Sequence, residues 1–231
     1  THHPFLIPDD SYAYFDESVG EQRDFLNSYR YTDRVLGEFM RAMRQKAYFN
    51  DTIFILTADH AHHRGLNYLE DRHIPLLIYA PGKVAPERVT DLASQLDLLP
   101  TVLGMAGGDT EYAAMGRDLF TPWRERPNQA RPFAYYAGGS NTGVIGWVED
   151  ELLLMQWIGT PHFIVLTARY PADQSNLYDE DPVQGDAMLN KSRHFHQFAR
   201  YLERSNRIFP PAGDPGPALR LPDSASGGKA D

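Results

Sequence analysis

Cysteine is absent from this chain, so no disulfide holds it together, and that absence is neutral about the redox compartment in which it works. Long apolar runs are absent too: nothing approaches the ~18 residues of a membrane span, and no signal-peptide pattern is visible. Positive charge is scarce, with 22 Lys and Arg against 31 Asp and Glu and a formal net charge of -9, which argues against a nucleic-acid partner. An anionic substrate is not excluded, because a metal ion and local His and Arg side chains set the field inside a small site. No internal repeat is evident. What remains is 231 residues, 42% hydrophobic and 12% aromatic, enough to bury a substantial core as one large domain or a domain with an appendage.

The most informative stretch is Thr52-Ile53-Phe54-Ile55-Leu56-Thr57-Ala58-Asp59-His60. Five of its first six residues are β-branched or aromatic, which predicts a buried strand. Asp59 and His60 fall where that strand emerges at its carboxyl end, the edge at which open α/β sheets bind ligands. One hard oxygen beside one imidazole nitrogen suits a divalent ion such as Zn²⁺ or Mn²⁺. The alternative is structural: Asp59 caps the following turn and His60 is a satisfied polar residue.

Histidine is unevenly spread, six of the nine lying in two short segments, Thr1-His2-His3-Pro4-Phe5 and the region of His60, His62, His63 and His73. His62 and His63 share a polar loop with Arg64 and Gly65 and could simply be solvated. His73 precedes Ile74-Pro75-Leu76-Leu77-Ile78-Tyr79-Ala80-Pro81-Gly82, a second strand signal closed by a turn, and so faces either a site or a neighbouring loop.

Together with Tyr31-Thr32-Asp33-Arg34-Val35-Leu36-Gly37-Glu38-Phe39 and Asp97-Leu98-Leu99-Pro100-Thr101-Val102-Leu103, these segments resemble the ordered blocks of the sulfatase-like, alkaline-phosphatase-superfamily enzymes. Within that superfamily they look most like the lipoteichoic acid synthase and phosphoglycerol transferase branch. The order and spacing of five blocks are more specific than any one of them. The resemblance covers the first half strongly and residues 133 to about 207 more loosely.

The resemblance implies an incomplete alkaline-phosphatase-like α/β fold. Family members carry a nucleophilic Thr, Ser or modified Cys and a first acidic metal ligand far upstream of the segment with which this chain begins. The expectation is therefore a carboxyl-terminal part of a catalytic domain. Thr1 stands before the motif histidine and is not that nucleophile, and the lack of Cys leaves no formylglycine precursor within these residues. By the same resemblance the whole protein has upstream membrane helices and an extracytoplasmic catalytic domain, periplasmic or extracellular.

Along the chain, residues 1–20 read as an extended, turn-rich approach. Residues 21–47 carry Phe25, Leu26, Tyr29, Val35, Leu36, Phe39, Met40 and Met43 as one apolar stripe of a helix, expected to pack in the core. Strands are predicted over 52–58 and about 74–79, then a helix around Leu96-Leu99-Val102-Leu103 ended by Gly107-Gly108. Asp97 reads as a polar residue supporting that helix start rather than doing chemistry. After Pro122 the texture becomes a string of β signals, Phe133-Ala137, Gly143-Val148, Leu152-Trp157 and Phe163-Leu166, which predicts an antiparallel meander. A last helix, about 184–207, presents Met188, Phe195, Phe198, Tyr201 and Leu202, with His194 and His196 read as surface or partner-packing residues. The expected division is 1–121 for the mixed α/β sheet flanked by helices, 132–207 for a small antiparallel β subdomain with its carboxyl-terminal helix, and 208–231 for a flexible tail.

The resemblance implies a metal-dependent phosphoryl or phosphoglycerol transferase acting on an anionic phosphate ester, lipid-linked or soluble, through an upstream Thr or Ser nucleophile. Asp59 and His60 would hold one divalent ion, Mn²⁺ or Zn²⁺, His2 would contact the substrate, and His73 and His62 would stand in support behind them. Two alternatives stay open: a sulfate-ester hydrolase of the same fold, and a noncatalytic fragment or binding module.

Overall fold

The computed structural model describes residues 4–61, 68, 72–107, 114–120, 131–136, 143–158, 163–168, 175–205 and 207. It contains two compact units, Thr1–His60 with Ile74–Arg88 and Ala61–His73 with Val89–Asp231. The boundary expected at 121–132 and the tail expected over 208–231 lie largely outside the described residues. The fold is mixed α/β, as the sequence implies, and both described sheets are antiparallel.

In the first unit, two short 3-10 turns are opened by carboxylate caps. Asp9 accepts from the Ser11 amide at 2.8 Å and Asp16 from the Ser18 amide at 2.9 Å, satisfying donors that such turns leave bare. They lead into helix α1 (Arg23–Met43), which has Asp24 in its first turn and Arg41 in its last, the order that complements the helix dipole. Buried Asn27 clamps the incoming chain: its Oδ1 accepts from the Phe15 amide at 2.8 Å and its Nδ2 donates to the Phe15 carbonyl at 3.0 Å. The stripe expected to be core packing is only partly covered. Tyr29, Val35, Leu36 and Phe39 remain 37–50% exposed, and the buried positions of α1 are polar Asn27 and Ser28.

Strands β1 (Phe54–Thr57) and β2 (Leu76–Tyr79) form a two-stranded antiparallel pair, with Phe54 opposite Tyr79 and Thr57 opposite Leu76. Phe54 is the anchor, its ring in edge or tilted contact with Phe39, Phe49 and Tyr79 at centroid distances of 6.4, 5.5 and 6.0 Å. The expectation of a fully buried strand is corrected here: only Phe54 of β1 is buried, and Leu77 of β2 is exposed. Among the described residues β1 has the single strand neighbour β2, so its continuous apolar sequence is not covered as a two-faced buried strand would be.

The second unit begins with a 3-10 turn, Gln95–Asp97, running into helix α2 (Leu98–Ala106). Ser94 and Asp97 cap one another's backbone amides, and Gly107 ends the helix at φ 75, a left-handed conformation that costs glycine little. Asp97 is more than a helix-start residue. It is fully buried, accepts from the amides of Ser94 and Arg117 at 2.9 Å each, and lies 3.1 Å from the Arg131 guanidinium. Thr101 extends the same node, donating to the Asp97 carbonyl at 2.6 Å and accepting from the Leu119 amide at 3.0 Å.

Strands β3 (Arg131–Tyr136), β4 (Gly143–Glu149), β5 (Leu152–Trp157) and β6 (Ile164–Ala168) form the expected meander in sequential order. Glu149 pairs with Leu152 across a two-residue turn in which Asp150 takes φ 50, a tight-hairpin conformation that Asp tolerates. Strands β4, β5 and β6 are covered on both faces. Val144, Val148, Leu153, Met155 and Val165 pack with Tyr68 and Leu92, whereas Leu154 and Leu166 pack with Met188 and Leu189 of helix α3 (Pro182–Arg204). Double coverage explains why these strands read as continuous apolar runs rather than alternating ones. Asp181 caps α3 at the Gln184 amide, 3.0 Å away, with Pro182 in the first turn.

Candidate metal and ester site

Asp59 and His60 follow β1 after one intervening residue, Ala58, beyond the point where Thr57 closes the ladder opposite Leu76. Beyond that pair the backbone leaves the strand, and a short polar side chain that can bond its own backbone suits the bend. Asp59 Oδ1 accepts from the His60 amide at 3.0 Å, and Asp59 Oδ2 lies 3.6 Å from His60 Nε2. The carboxylate and imidazole therefore face one another. Their side chains are 89% and 43% exposed respectively, so both keep access to solvent and to a ligand.

The donor set is one carboxylate oxygen and one imidazole nitrogen. A separation of 3.6 Å allows both atoms to lie at the ~2.0–2.2 Å bond lengths of a zinc-like ion from one point. Among the described residues no group of three or more His, Cys, Asp or Glu is placed to hold a metal. The pair fits part of a metal site in chemistry and spacing, and a complete site needs ligands beyond it.

His2 and His62 lie outside the described residues, as do His3 and His63. His73 is exposed and falls in the second unit, next to Arg72, whose Nη1 donates to the Tyr68 carbonyl at 2.8 Å. The structure thus brings together Asp59 and His60; the rest of the expected set falls outside the described residues or in the other unit.

Two charged groupings in the second unit were not apparent from the motifs. One is the Asp97 node, where burial raises the carboxyl above its ordinary range against the opposing pull of the Arg117 and Ser94 amides and the Arg117 charge. The other lies along the last turns of α3, where His196 is held below the usual imidazole range by burial first and by the Arg200 charge second. Basic residues at 193, 200 and 204 with His196 between them recur at helical spacing, a signal that was legible. The Asp97–Arg131 pairing joins residues 34 positions apart and carried no such signal.

Residues 1–108 match the sulfatase family model. This segment is similar to the sulfatases. The fold of the larger part of the chain agrees: a solved 2-O GAG sulfatase superposes with a TM-score of 0.55 at 20% identity, over 85% of this chain and 46% of that one. Among curated sequences, arylsulfatase K of Canis lupus familiaris is 39% identical over 96 residues, which is 38% of this chain and 18% of that protein. Endo-4-O-sulfatase of Bacteroides thetaiotaomicron is 34% identical over 113 residues, 43% of this chain and 22% of that protein. Lipoteichoic acid synthase of Staphylococcus aureus is 24% identical over 155 residues, 57% of this chain and 23% of that protein. The chain therefore spans less than a quarter of these curated relatives and about half of the solved relative. Among its described residues no helix is long and apolar enough to cross a membrane.

Proposed function

We propose that this chain supplies one side of the active site of an enzyme that transfers or hydrolyses phosphate esters, with phosphoglycerol-type transfer as the leading reading. The observation that carries it is the Asp59–His60 pair, two metal-type donors 3.6 Å apart at the exit of a strand within a sulfatase-family segment. The match to lipoteichoic acid synthase supports the phosphate reading because it takes in 57% of the chain, more than the family segment itself. Sulfate-ester hydrolysis is the second reading, favoured by the higher identities to arylsulfatase K and endo-4-O-sulfatase.

Asp59 and His60 would hold an Mn²⁺ or Zn²⁺ ion, which when bound lowers the pKa of an attacking hydroxyl and offsets charge on the ester oxygens. The bond from the His60 amide to Asp59 Oδ1 restrains the carboxylate, so Oδ2 stays turned toward the imidazole nitrogen. His2, through the motif it shares with the family, would hydrogen-bond the anionic group or protonate the leaving oxygen. The nucleophilic hydroxyl and the remaining ligands would come from residues outside this set. The substrate would be an anionic ester, lipid-linked or soluble, met at the extracytoplasmic face of a membrane.

The test is metal content measured beside turnover of generic aryl phosphodiesters and aryl sulfates by the full-length protein. Asp59→Ala removes a ligand and its compensating charge, so bound metal and turnover are expected to fall together, metal affinity by about 10-fold or more. His2→Ala is expected to leave metal content intact and lower turnover by about 100-fold or more. Unchanged metal and turnover in Asp59→Ala would remove the site, and sulfate turnover above phosphate turnover would select the second reading.

A further inference from the structure

The end of α3 carries an arrangement that the ester chemistry does not use. Residues 191–207 contain five Lys or Arg and a single carboxylate, Glu203, in a chain whose net charge is -9. Two of these cations are committed to the sheet: Lys191 Nζ bonds Glu149 at 2.6 Å and Arg193 Nε bonds Gln156 at 2.9 Å. Arg200 and Arg204 instead line an open hollow of about 720 Å³, together with Ile158, His196, Gln197 and Tyr201. Among the described residues no carboxylate lines it, and the contact from Arg200 to Glu203 is long, 4.0 Å between two largely exposed side chains.

Complementing the helix dipole explains one cation here. The carboxyl end of a helix presents about half a negative charge, which a single guanidinium outweighs. A second guanidinium in the same hollow leaves net positive potential over the concave surface. Beside it stands an apolar wall. Tyr201 is 52% exposed with its ring stacked on Phe198 at 6.4 Å, and Ile158 is 41% exposed on a backbone tied to Gly143 by a 2.8 Å hydrogen bond. The hollow thus pairs planar, multiply donating cations with a flat apolar surface, and guanidinium groups favour oxyanions that accept two parallel hydrogen bonds.

We infer that this hollow is a binding site for a small organic oxyanion, a sulfate, phosphate or carboxylate group carried on a ring with an apolar face. The oxyanion lies against Arg200 and Arg204 and the ring against Tyr201 and Ile158. An inorganic anion alone lacks the apolar contact and binds weakly, since exposed ion pairs contribute little. Its lining includes neither Asp59 nor His60, so its failure and the failure of the ester reading are read on different variants.

The test is calorimetric titration of the chain with naphthalene-2-sulfonate and with inorganic sulfate, repeated on Arg200→Glu/Arg204→Glu, on Tyr201→Ala, and on Lys46→Glu, an exposed charge reversal in the other unit. The expected result is tighter binding of the aryl sulfonate than of sulfate. That binding weakens at least about 10-fold in the double arginine variant and measurably in Tyr201→Ala, and is unchanged in Lys46→Glu. Circular dichroism establishes that the arginine variant is folded, and Arg200→Lys/Arg204→Lys, which keeps the charge and loses the planar fork, is expected to restore only part of the affinity. Absence of aryl sulfonate binding, equal affinity in the folded double arginine variant, or an equal loss in Lys46→Glu would overturn the proposal.

Discussion

At the scale of single residues, the strongest structural commitment is a buried charge. Asp97 has no solvent exposure and faces Arg131 at 3.1 Å, so removing the carboxylate strands a guanidinium that is itself mostly buried. Asp97→Ala is expected to cost about 3–5 kcal/mol, the penalty for breaking a buried pair, read as a lower urea midpoint. Adding Arg131→Met should recover part of that loss. Tyr178 offers a pH readout: burial first, then its 2.6 Å hydrogen bond to Asp186, pushes the phenol up to about 12. A raised folded-state pKa means its contribution is fully present below the ordinary tyrosine value near pH 10 and is lost as pH rises through about 12. The phenolate absorbance step near pH 12 should disappear in Tyr178→Phe, which at neutral pH loses about 0.5–1.5 kcal/mol with the hydrogen bond.

At the scale of elements, the segment before α3 supports the last strand through one amide. Asn176 Oδ1 accepts from the amides of Leu166 and Tyr178 at 3.0 and 3.1 Å, and its Nδ2 donates to the Ile164 carbonyl at 3.2 Å. The Leu177 amide adds a 2.6 Å bond to the Leu166 carbonyl, so β6 is no bare edge. Asn176→Ala is expected to cost about 1–3 kcal/mol by leaving the Leu166 amide without its partner, and to speed hydrogen exchange at Leu166 more than at Leu154 in the centre of the sheet.

At the scale of the whole molecule, the two units are unequally built. Among described residues the first buries Asn27, Ser28, Phe54 and Ala80, whereas the second buries both faces of a four-stranded sheet. Local opening free energy follows buried apolar contact. Hydrogen exchange followed by mass spectrometry should show α1, β1 and β2 exchanging well before β4, β5 and α3, and equal protection would contradict this division. The placement of Asp59 and His60 on the less buried unit means that the proposed ester site stands on its more easily opened scaffold.

The elements and their order were legible from local pattern. Runs at 52–58, 74–79, 143–148 and 152–157 and the stripe at 21–47 each contain the expected strand or helix, because period and turn residues act over a few positions. The adjacency of Asp59 and His60 was legible for the same reason, being one peptide bond long. Tertiary structure alone decided that Asp97 meets Arg131, that the α1 stripe stays partly exposed, and that Arg200, Arg204, Tyr201 and Ile158 share one hollow. Each depends on which distant surfaces meet. Residue pattern encodes the apolar area a segment offers, whereas only packing determines how much of it is covered and which charges are buried with it.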